Sequence, residues 1–257
     1  MFYIRQISKR TWLLLIDVFI FNAVVLLLYF SFVHTSKSKV EKKETRAVVQ
    51  RKVTISPDIN LEGVDVSHYQ GQIDWSIIAD KIHFAFVKAT ESNHYVDPKF
   101  HLYIEGLENT DIKFGAYHFF SPHADPLAQA EYFIDNTKGY KFSLPPVIDI
   151  EVAPNHDLAG FQNGIQIWLD KVGKSTGCTP IIYSNKSFWN QYLKQRFSDY
   201  PVWISDYTTH QDYIANIPWR FWQYSDHGRI DGISGFVDKS IYRGSIKALA
   251  TLGGCQV

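Results

Sequence analysis

The chain has 257 residues, 46% hydrophobic and 16% aromatic, a composition that excludes a disordered polypeptide and suffices for one large domain or two small ones. The formal net charge of zero is unevenly distributed: it is +2 for residues 1–33, +4 for residues 34–59 and −6 for the remainder. A nucleic-acid-binding domain normally carries excess positive charge, so this class is excluded for the C-terminal body.

An apolar segment, residues 12–33, is long enough to cross a bilayer as a helix and follows a basic N-terminus, residues 1–11. Asp17 lies near one end of the segment, where its carboxylate can reach water. An uncleaved signal anchor and a cleaved signal peptide both stay open, and we favour the anchor because no convincing small-x-small cleavage site is present. Residues 34–59 are predicted as a polar, basic stalk, and residues 60–257 as the folded domain.

Beyond the stalk, short apolar runs alternate with amphipathic stretches. One stretch has the signals of a helix with Asp125 as N-cap, Pro126 at the first helical position and Gly139 at its end, and another ends near Gly173 or Gly177. The last connections are too short for full helices. The pattern therefore predicts an irregular, TIM-like (β/α) barrel that departs from the regular eightfold form. The predicted strands are 61–67, 84–89, 114–120, 145–151, 180–184, 201–205, 221–225 and 235–239.

Acidic residues stand at several of these predicted strands, and the active site of a (β/α) barrel gathers at the C-terminal ends of its strands. Asp65 ends the first strand, Asp149 and Glu151 end the fourth, and Asp238 lies in the last. Asp206 follows the sixth and is the weakest candidate. Because residues i and i+2 of a strand share a face, Asp149 and Glu151 are expected side by side, where two carboxylates resist ionising together.

Paired carboxyls of this kind suit glycoside hydrolysis, which needs a protonated carboxylic acid to protonate the leaving oxygen and usually a second carboxylate. Glu151 beside Asp149 meets the condition for a raised pKa, to which Asp65 and Asp238 add. The sequence motifs of other enzyme classes are absent: the chain contains no HExxH, no P-loop, no GxGxxG opening a helix and no GxSxG. The hypothesis rests on the set of acids, because each one alone also has a structural interpretation.

Several other polar and aromatic residues are expected to be structural. His68 and His118 are interpreted as hydrogen-bonded residues rather than bases, and Trp203, Trp222 and Tyr224 are candidates for the core. No metal or cofactor is expected, because no Cys/His spacing suggests zinc. For Cys178 and Cys255, a disulfide in a non-cytoplasmic domain and two unpaired thiols both stay open.

Five motifs in chain order resemble glycoside hydrolase family 25, the lysozymes (N-acetylmuramidases) of bacteria, phages and fungi. The resemblance covers nearly all of residues 60–257. One departure is that Lys239 and Ser240 follow Asp238, where the family more often has an apolar residue and Asn. The motifs are "GVDVSHYQGQIDW" at 63–75, "FAFVKATES" at 84–92, "GAYHFFSP" at 115–122, "PPVIDIE" at 145–151 and "DGISGFVDKSIYRGS" at 231–245.

The resemblance implies cleavage of the β-1,4 bond between N-acetylmuramic acid and N-acetylglucosamine in peptidoglycan. It implies Glu151 as the general acid, and Asp149 as the residue that either orients the substrate's 2-acetamido group or positions a water. Asp65 and Asp238 would tune the charge and hold the pair or the sugar. The positions that resemble cleft-lining residues of the family are Tyr117, Tyr183, Trp203 and Gln223.

The location of the substrate decides the expected orientation. A bare count of Lys and Arg around the span would place the body in the cytoplasm. Peptidoglycan lies outside the cytoplasmic membrane, so we expect a single-pass protein whose domain faces the periplasm or exterior, secreted if the N-terminal segment is cleaved. The expected partners are a glycan strand and the membrane, with no nucleic acid and no obligate protein partner. A catalytically silent peptidoglycan-binding module and a hydrolase of another surface polysaccharide remain as alternatives.

Overall fold

The computed structural model describes residues 60–154, 157–207 and 210–252. The predicted span at 12–33, the stalk at 34–59 and Cys255 lie outside the described residues, and so does the question of whether Cys178 pairs with Cys255. Within the described part of the chain, no helix has the length and apolar character needed to cross a membrane.

Eight strands close into a barrel of mixed direction. Neighbours are parallel from β1 through β2, β4, β5, β6 and β7 to β8, whereas β9 runs antiparallel to both β8 and β1. The short strand β3 extends the sheet as an antiparallel partner of β2. The strands are β1 Asn60–Val66, β2 Phe84–Glu91, β3 Tyr95–Val96, β4 Lys113–Phe119, β5 Val147–Asp149, β6 Ile181–Asn185, β7 Val202–Ser205, β8 Trp219–Gly228 and β9 Val237–Arg243.

Helices cover the parallel part of the barrel. The described α-helices are α1 Trp75–Ile78, α2 Phe100–Glu108, α3 Pro126–Thr137, α4 Leu158–Thr176, α5 Lys186–Phe188, α6 Lys194–Phe197 and α7 Ile246–Leu252. A π-helical turn, Trp189–Leu193, joins α5 to α6, and short 3-10 turns lie at His68–Gln70 and Gln211–Ile214.

The two predicted helices form with the expected ends. The Asp125 side chain accepts a hydrogen bond from the Ala128 amide at the start of α3, as its N-cap assignment predicts. The helix α4 stops at Gly177, whose φ of 71° is the left-handed conformation that glycine adopts without steric cost. Gly173, the other predicted stop, lies inside α4.

All eight predicted strands are present, but the end of the chain differs from a (β/α) unit. The last strand begins at Val237 and continues to Arg243, well beyond the predicted 235–239, and it runs antiparallel to its neighbours. The eight residues between β8 and β9 include no helix, so the chain returns directly alongside β8 as a hairpin. The barrel is therefore irregular because the last connection is too short for a helix, as the sequence indicated.

Side-chain alternation gives the barrel two apolar layers. Along β2, Phe84 and Phe86 point inward, whereas Ala85 and Val87 join the outer layer that packs against the helices. Inside the barrel, the Phe86 ring lies 4.8 Å from the Trp203 ring, centroid to centroid. The inner cluster comprises Phe84, Phe86, Leu144, Val147, Ile181, Tyr183, Trp203, Phe221, Tyr242 and Leu249.

The inner cluster carries a large share of the stability, because its side chains have no route to relax outward. We expect Phe86→Ala to lower the free energy of unfolding by about 3–5 kcal/mol, measured by urea denaturation. Leu102→Ala, on the exposed face of α2, is the matched control and should change it by no more than about 0.5 kcal/mol. Equal effects of the two substitutions would contradict this assignment of the core.

Candidate active site

A polar cavity of about 120 Å³ opens above the inner apolar cluster, at the rim where the parallel strands end. Eight residues line it, and all eight are the site residues predicted from the sequence: Asp65, Tyr117, Asp149, Glu151, Tyr183, Trp203, Gln223 and Asp238. The structure therefore brings the whole predicted set together at one end of the barrel.

The strand ends position the four acids. Asp65 and Asp149 stand at the C-terminal ends of β1 and β5, and Glu151 lies two residues beyond β5 on the same side. Asp238 comes from the start of the antiparallel strand β9, where its Cα pairs with that of Asp65. The expectation of acids at a shared rim holds, although Asp238 reaches it from the opposite strand direction.

Gln223 forms the centre of a hydrogen-bond network in the cavity. Its Nε2 donates to both carboxylate oxygens of Asp65, at 3.2 and 3.0 Å. Its Oε1 accepts from the hydroxyls of Tyr183 and Tyr207, each at 2.9 Å. These bonds fix the orientation of Asp65 and keep the Tyr183 hydroxyl beside the acids. Tyr207, half-exposed after β7, is a neighbour of the site that the sequence analysis missed.

The two acids on the floor of the cavity are almost fully buried. Burial, followed by the charge of Asp238, raises the pKa of Asp65 well above its usual range. Burial, followed by the charge of Glu151, does the same to the pKa of Asp149. Asp149 Oδ1 is buried and has no hydrogen-bond partner among the described residues, which adds to the cost of ionising this carboxyl group.

Glu151 differs from the floor acids because it is the most exposed of the four. Burial of its carboxyl group raises its pKa; the Tyr183 hydroxyl opposes this shift, and the charge of Asp238 adds to it. Burial also raises the pKa of Asp238, against a hydrogen bond from Asp65. Because all four carboxyl groups have raised pKa values, the cluster tends to retain a proton that its members share. Glu151 is the member of the cluster that is exposed.

The tyrosines of the cavity are neutral hydrogen-bonding groups. Burial and the neighbouring carboxylates raise the pKa values of Tyr117 and Tyr183 well above the usual tyrosine range. Trp203 adds an apolar surface, and its Nε1 donates to the buried Ser240 hydroxyl at 3.1 Å. The cavity thus combines carboxyl groups, hydroxyl groups and an aromatic ring, the combination that suits a sugar.

Other residues considered in the sequence lie outside the cavity. Asp206 binds Lys186, with 2.7 Å between its Oδ2 and the lysine Nζ. His118 is fully buried between Thr90 and Gln129, and burial lowers its pKa to about 3, so it stays neutral as a structural residue. His68 contacts buried Asp97 at 2.7 Å through Nδ1.

The two remaining aromatic candidates, Trp222 and Tyr224, belong to the outer core cluster, as expected for structural residues. Lys88 and Glu91, near the end of β2, form an ion pair close to the cavity that the sequence analysis did not single out. Among the described residues, no group of three or more His, Cys, Asp or Glu side chains is arranged to hold a metal ion.

Known proteins share both this sequence pattern and this fold. The family model for glycosyl hydrolases family 25 matches residues 64–233. Lysozyme M1 of Streptomyces globisporus is 34% identical over 208 residues, which cover 75% of this chain and 71% of that protein.

Solved structures agree with this similarity. A family 25 glycosyl hydrolase from Bacillus anthracis matches with a TM-score of 0.72 and 30% identity, over 79% of this chain and 97% of that one. The lysozyme from Streptomyces coelicolor matches with a TM-score of 0.67 and 32% identity, over 75% and 96% of the respective chains.

Proposed function

The chain belongs to glycosyl hydrolase family 25, and we propose that this glycoside hydrolase is a muramidase that cleaves the β-1,4 bond between N-acetylmuramic acid and N-acetylglucosamine in peptidoglycan. The observation that carries the proposal is that four acids line one cavity and differ in exposure. Asp65 and Asp149 are buried, Asp238 is partly buried and Glu151 is exposed. Glycoside hydrolysis needs an accessible proton donor and usually a second carboxyl group close to it, and this arrangement supplies both.

In the proposed reaction, Glu151 is the general acid. Its raised pKa favours retention of the proton, and its exposure lets it reach the glycosidic oxygen that leaves. As the bond to the anomeric carbon breaks, the proton passes to the departing sugar and Glu151 becomes a carboxylate. The Tyr183 hydroxyl favours that carboxylate form by turning its single hydrogen from Gln223 Oε1 to Glu151, and so assists the transfer.

Asp149 acts on the other side of the anomeric carbon in this proposal. Its carboxylate, at the cavity, accepts a hydrogen bond either from the N–H of the substrate's 2-acetamido group, whose oxygen then attacks, or from a water that attacks directly. Both routes need Asp149 as an anion. They differ in the configuration of the first product, which proton NMR of the initial digest reads as retention or inversion.

The remaining cavity residues bind the sugar and set the charge around the two reacting acids. Gln223 fixes Asp65, which faces Asp238 across the β1–β9 pair. Tyr117, Tyr183 and Trp203 offer hydroxyl groups and a ring face to the bound saccharide. Under this proposal their substitution weakens binding, whereas substitution of Glu151 removes the chemistry.

We also propose that residues 12–33 anchor the enzyme in the cytoplasmic membrane, with residues 60–257 facing the wall. The support is the apolar length of the segment and the location of peptidoglycan outside the membrane. The basic stalk at 34–59 would span the space between the membrane and the substrate.

A panel of polymers tests the substrate. We expect the full-length protein, purified in mild detergent, to release reducing ends from peptidoglycan at least about tenfold faster than from chitin, because the muramoyl unit is part of the bond recognised. Faster release from chitin or another surface glycan would favour the alternative hydrolase. Binding to sacculi without any release would favour a silent wall-binding module.

A further inference from the structure

A single lysine, Lys88, extends from the wall of the barrel toward the carboxyl cluster. It follows Phe84 and Phe86 in the inward-facing positions of β2. Its Cα is the register partner of Tyr117, which lines the cavity. Its Nζ lies 5.1 Å from the centre of the Phe119 ring, and Phe119 is the register partner of Asp149. The ammonium group is near enough to the floor of the active site for its charge to act on Asp149.

Lys88 is held in place by a partner from its own strand. Its Nζ contacts Glu91 Oε2 at 2.6 Å and also lies 5.7 Å from the Tyr95 ring centre. The lysine side chain is 11% exposed and that of Glu91 is 43% exposed. Water screens the glutamate charge more than the lysine charge, so the pair presents a net positive field to the cavity.

Charged groups of both signs act on Asp149. Glu151, Asp65 and Glu91 disfavour its ionised form, and Lys88 is the cation among the described groups that favours it. The titratable groups that face it are Asp65 from β1, Lys88 and Glu91 from β2, Tyr117 from β4, Glu151 after β5, Tyr183 from β6 and Asp238 from β9.

We propose that Lys88, clamped by Glu91, is a positioning residue for the proton: its charge favours the ionised form of Asp149 and so shifts the proton shared by the cluster toward Glu151. The inference rests on the proposed muramidase reaction, in which the two acids must differ in protonation. Without this cation, the more deeply buried Asp149 would compete more strongly for the proton, and a smaller fraction of the enzyme would hold the proton on Glu151, the donor.

The test is the pH profile of kcat/KM on peptidoglycan for the full-length protein and three variants. In Lys88→Met, we expect the acid limb to move up by about one pH unit and the activity below that limb to fall about tenfold. In Glu91→Gln, we expect the limb to move down, by roughly 0.3 unit, because an anion near Asp149 is removed while the lysine remains. Lys88→Arg keeps the charge and should keep the limb of the wild type.

If the Lys88–Glu91 pair has a purely structural role, Lys88→Met and Glu91→Gln should both lose activity at every pH, and the acid limb of the profile should not move. A rise in KM with the same limb would identify Lys88 as a substrate contact instead. Either result, or shifts of the same sign in Lys88→Met and Glu91→Gln, overturns the inference. If Lys88→Met does not fold, Glu91→Gln decides alone, since an unmoved or raised limb there contradicts it. An inactive wild type would instead reject the muramidase proposal itself.

Discussion

Glu151→Gln should lower kcat on peptidoglycan by about 10²–10⁴-fold, the range that a general acid contributes. The amide has the shape of the carboxyl group but no proton to give, so the glycosidic oxygen must leave as an alkoxide. Substrate binding should be retained, because the contacts from Tyr117, Trp203 and Gln223 are unchanged. The measurement is the initial rate of reducing-end release together with pelleting of the variant on sacculi.

Asp206→Asn is the matched control for this substitution. Asp206 is an acid on the same rim, but it binds Lys186 and does not line the cavity. Its loss should change kcat by no more than about threefold, in line with a partly exposed ion pair. Near-normal turnover of Glu151→Gln, or an equal loss in both variants, would show that Glu151 is not the proton donor.

Asp149→Asn should also be nearly inactive, with kcat lowered by about 10²-fold or more, because both proposed routes need a carboxylate opposite the leaving group. The same variant should be more stable than the wild type at pH 8, by about 1 kcal/mol in urea unfolding. The reason is that a buried carboxylate with an unpartnered oxygen, repelled by Glu151, is replaced by a neutral group of the same shape.

The stability gain should depend on pH with a definite sign. The pKa of Asp149 is raised in the folded protein, so the folded state binds a proton that the unfolded state has released. The free energy of unfolding of the wild type therefore falls as the pH rises from the usual Asp range through the raised value. The advantage of Asp149→Asn should vanish near pH 4. A gain that grows toward acid would contradict the burial of an unfavourable charge.

Much of the site could be predicted from the sequence because strand period and strand ends are local properties. The spacing of Asp149 and Glu151 already placed both acids on one face, and the barrel pattern placed Asp65 near them. The positions of Tyr117, Tyr183, Trp203 and Gln223 came from family motifs, since aromatic residues in a strand look the same in a core and in a cleft. The structure places all four at the cavity.

The direction of β9 could not be predicted, since a short connection permits a hairpin without requiring one. The sequence placed Asp238 only within the last predicted strand, 235–239, and the structure shows that it enters the site from the beginning of that strand. Lys88 was missed for a different reason. In sequence it is one polar residue at the end of an apolar run, and only the folded barrel shows that its charge acts on Asp149. Tyr207 lies after β7, where no periodicity marks which side chains reach inward.

The most direct test of the account is the chemical identity of the new reducing end. Peptidoglycan digested by the full-length protein would be reduced with borohydride, hydrolysed and analysed by mass spectrometry. The account predicts muramicitol in the wild-type digest and its loss in Glu151→Gln, because the cleaved bond is the one that follows the muramoyl unit. Glucosaminitol in place of muramicitol, or muramicitol formed equally by Glu151→Gln, would contradict it.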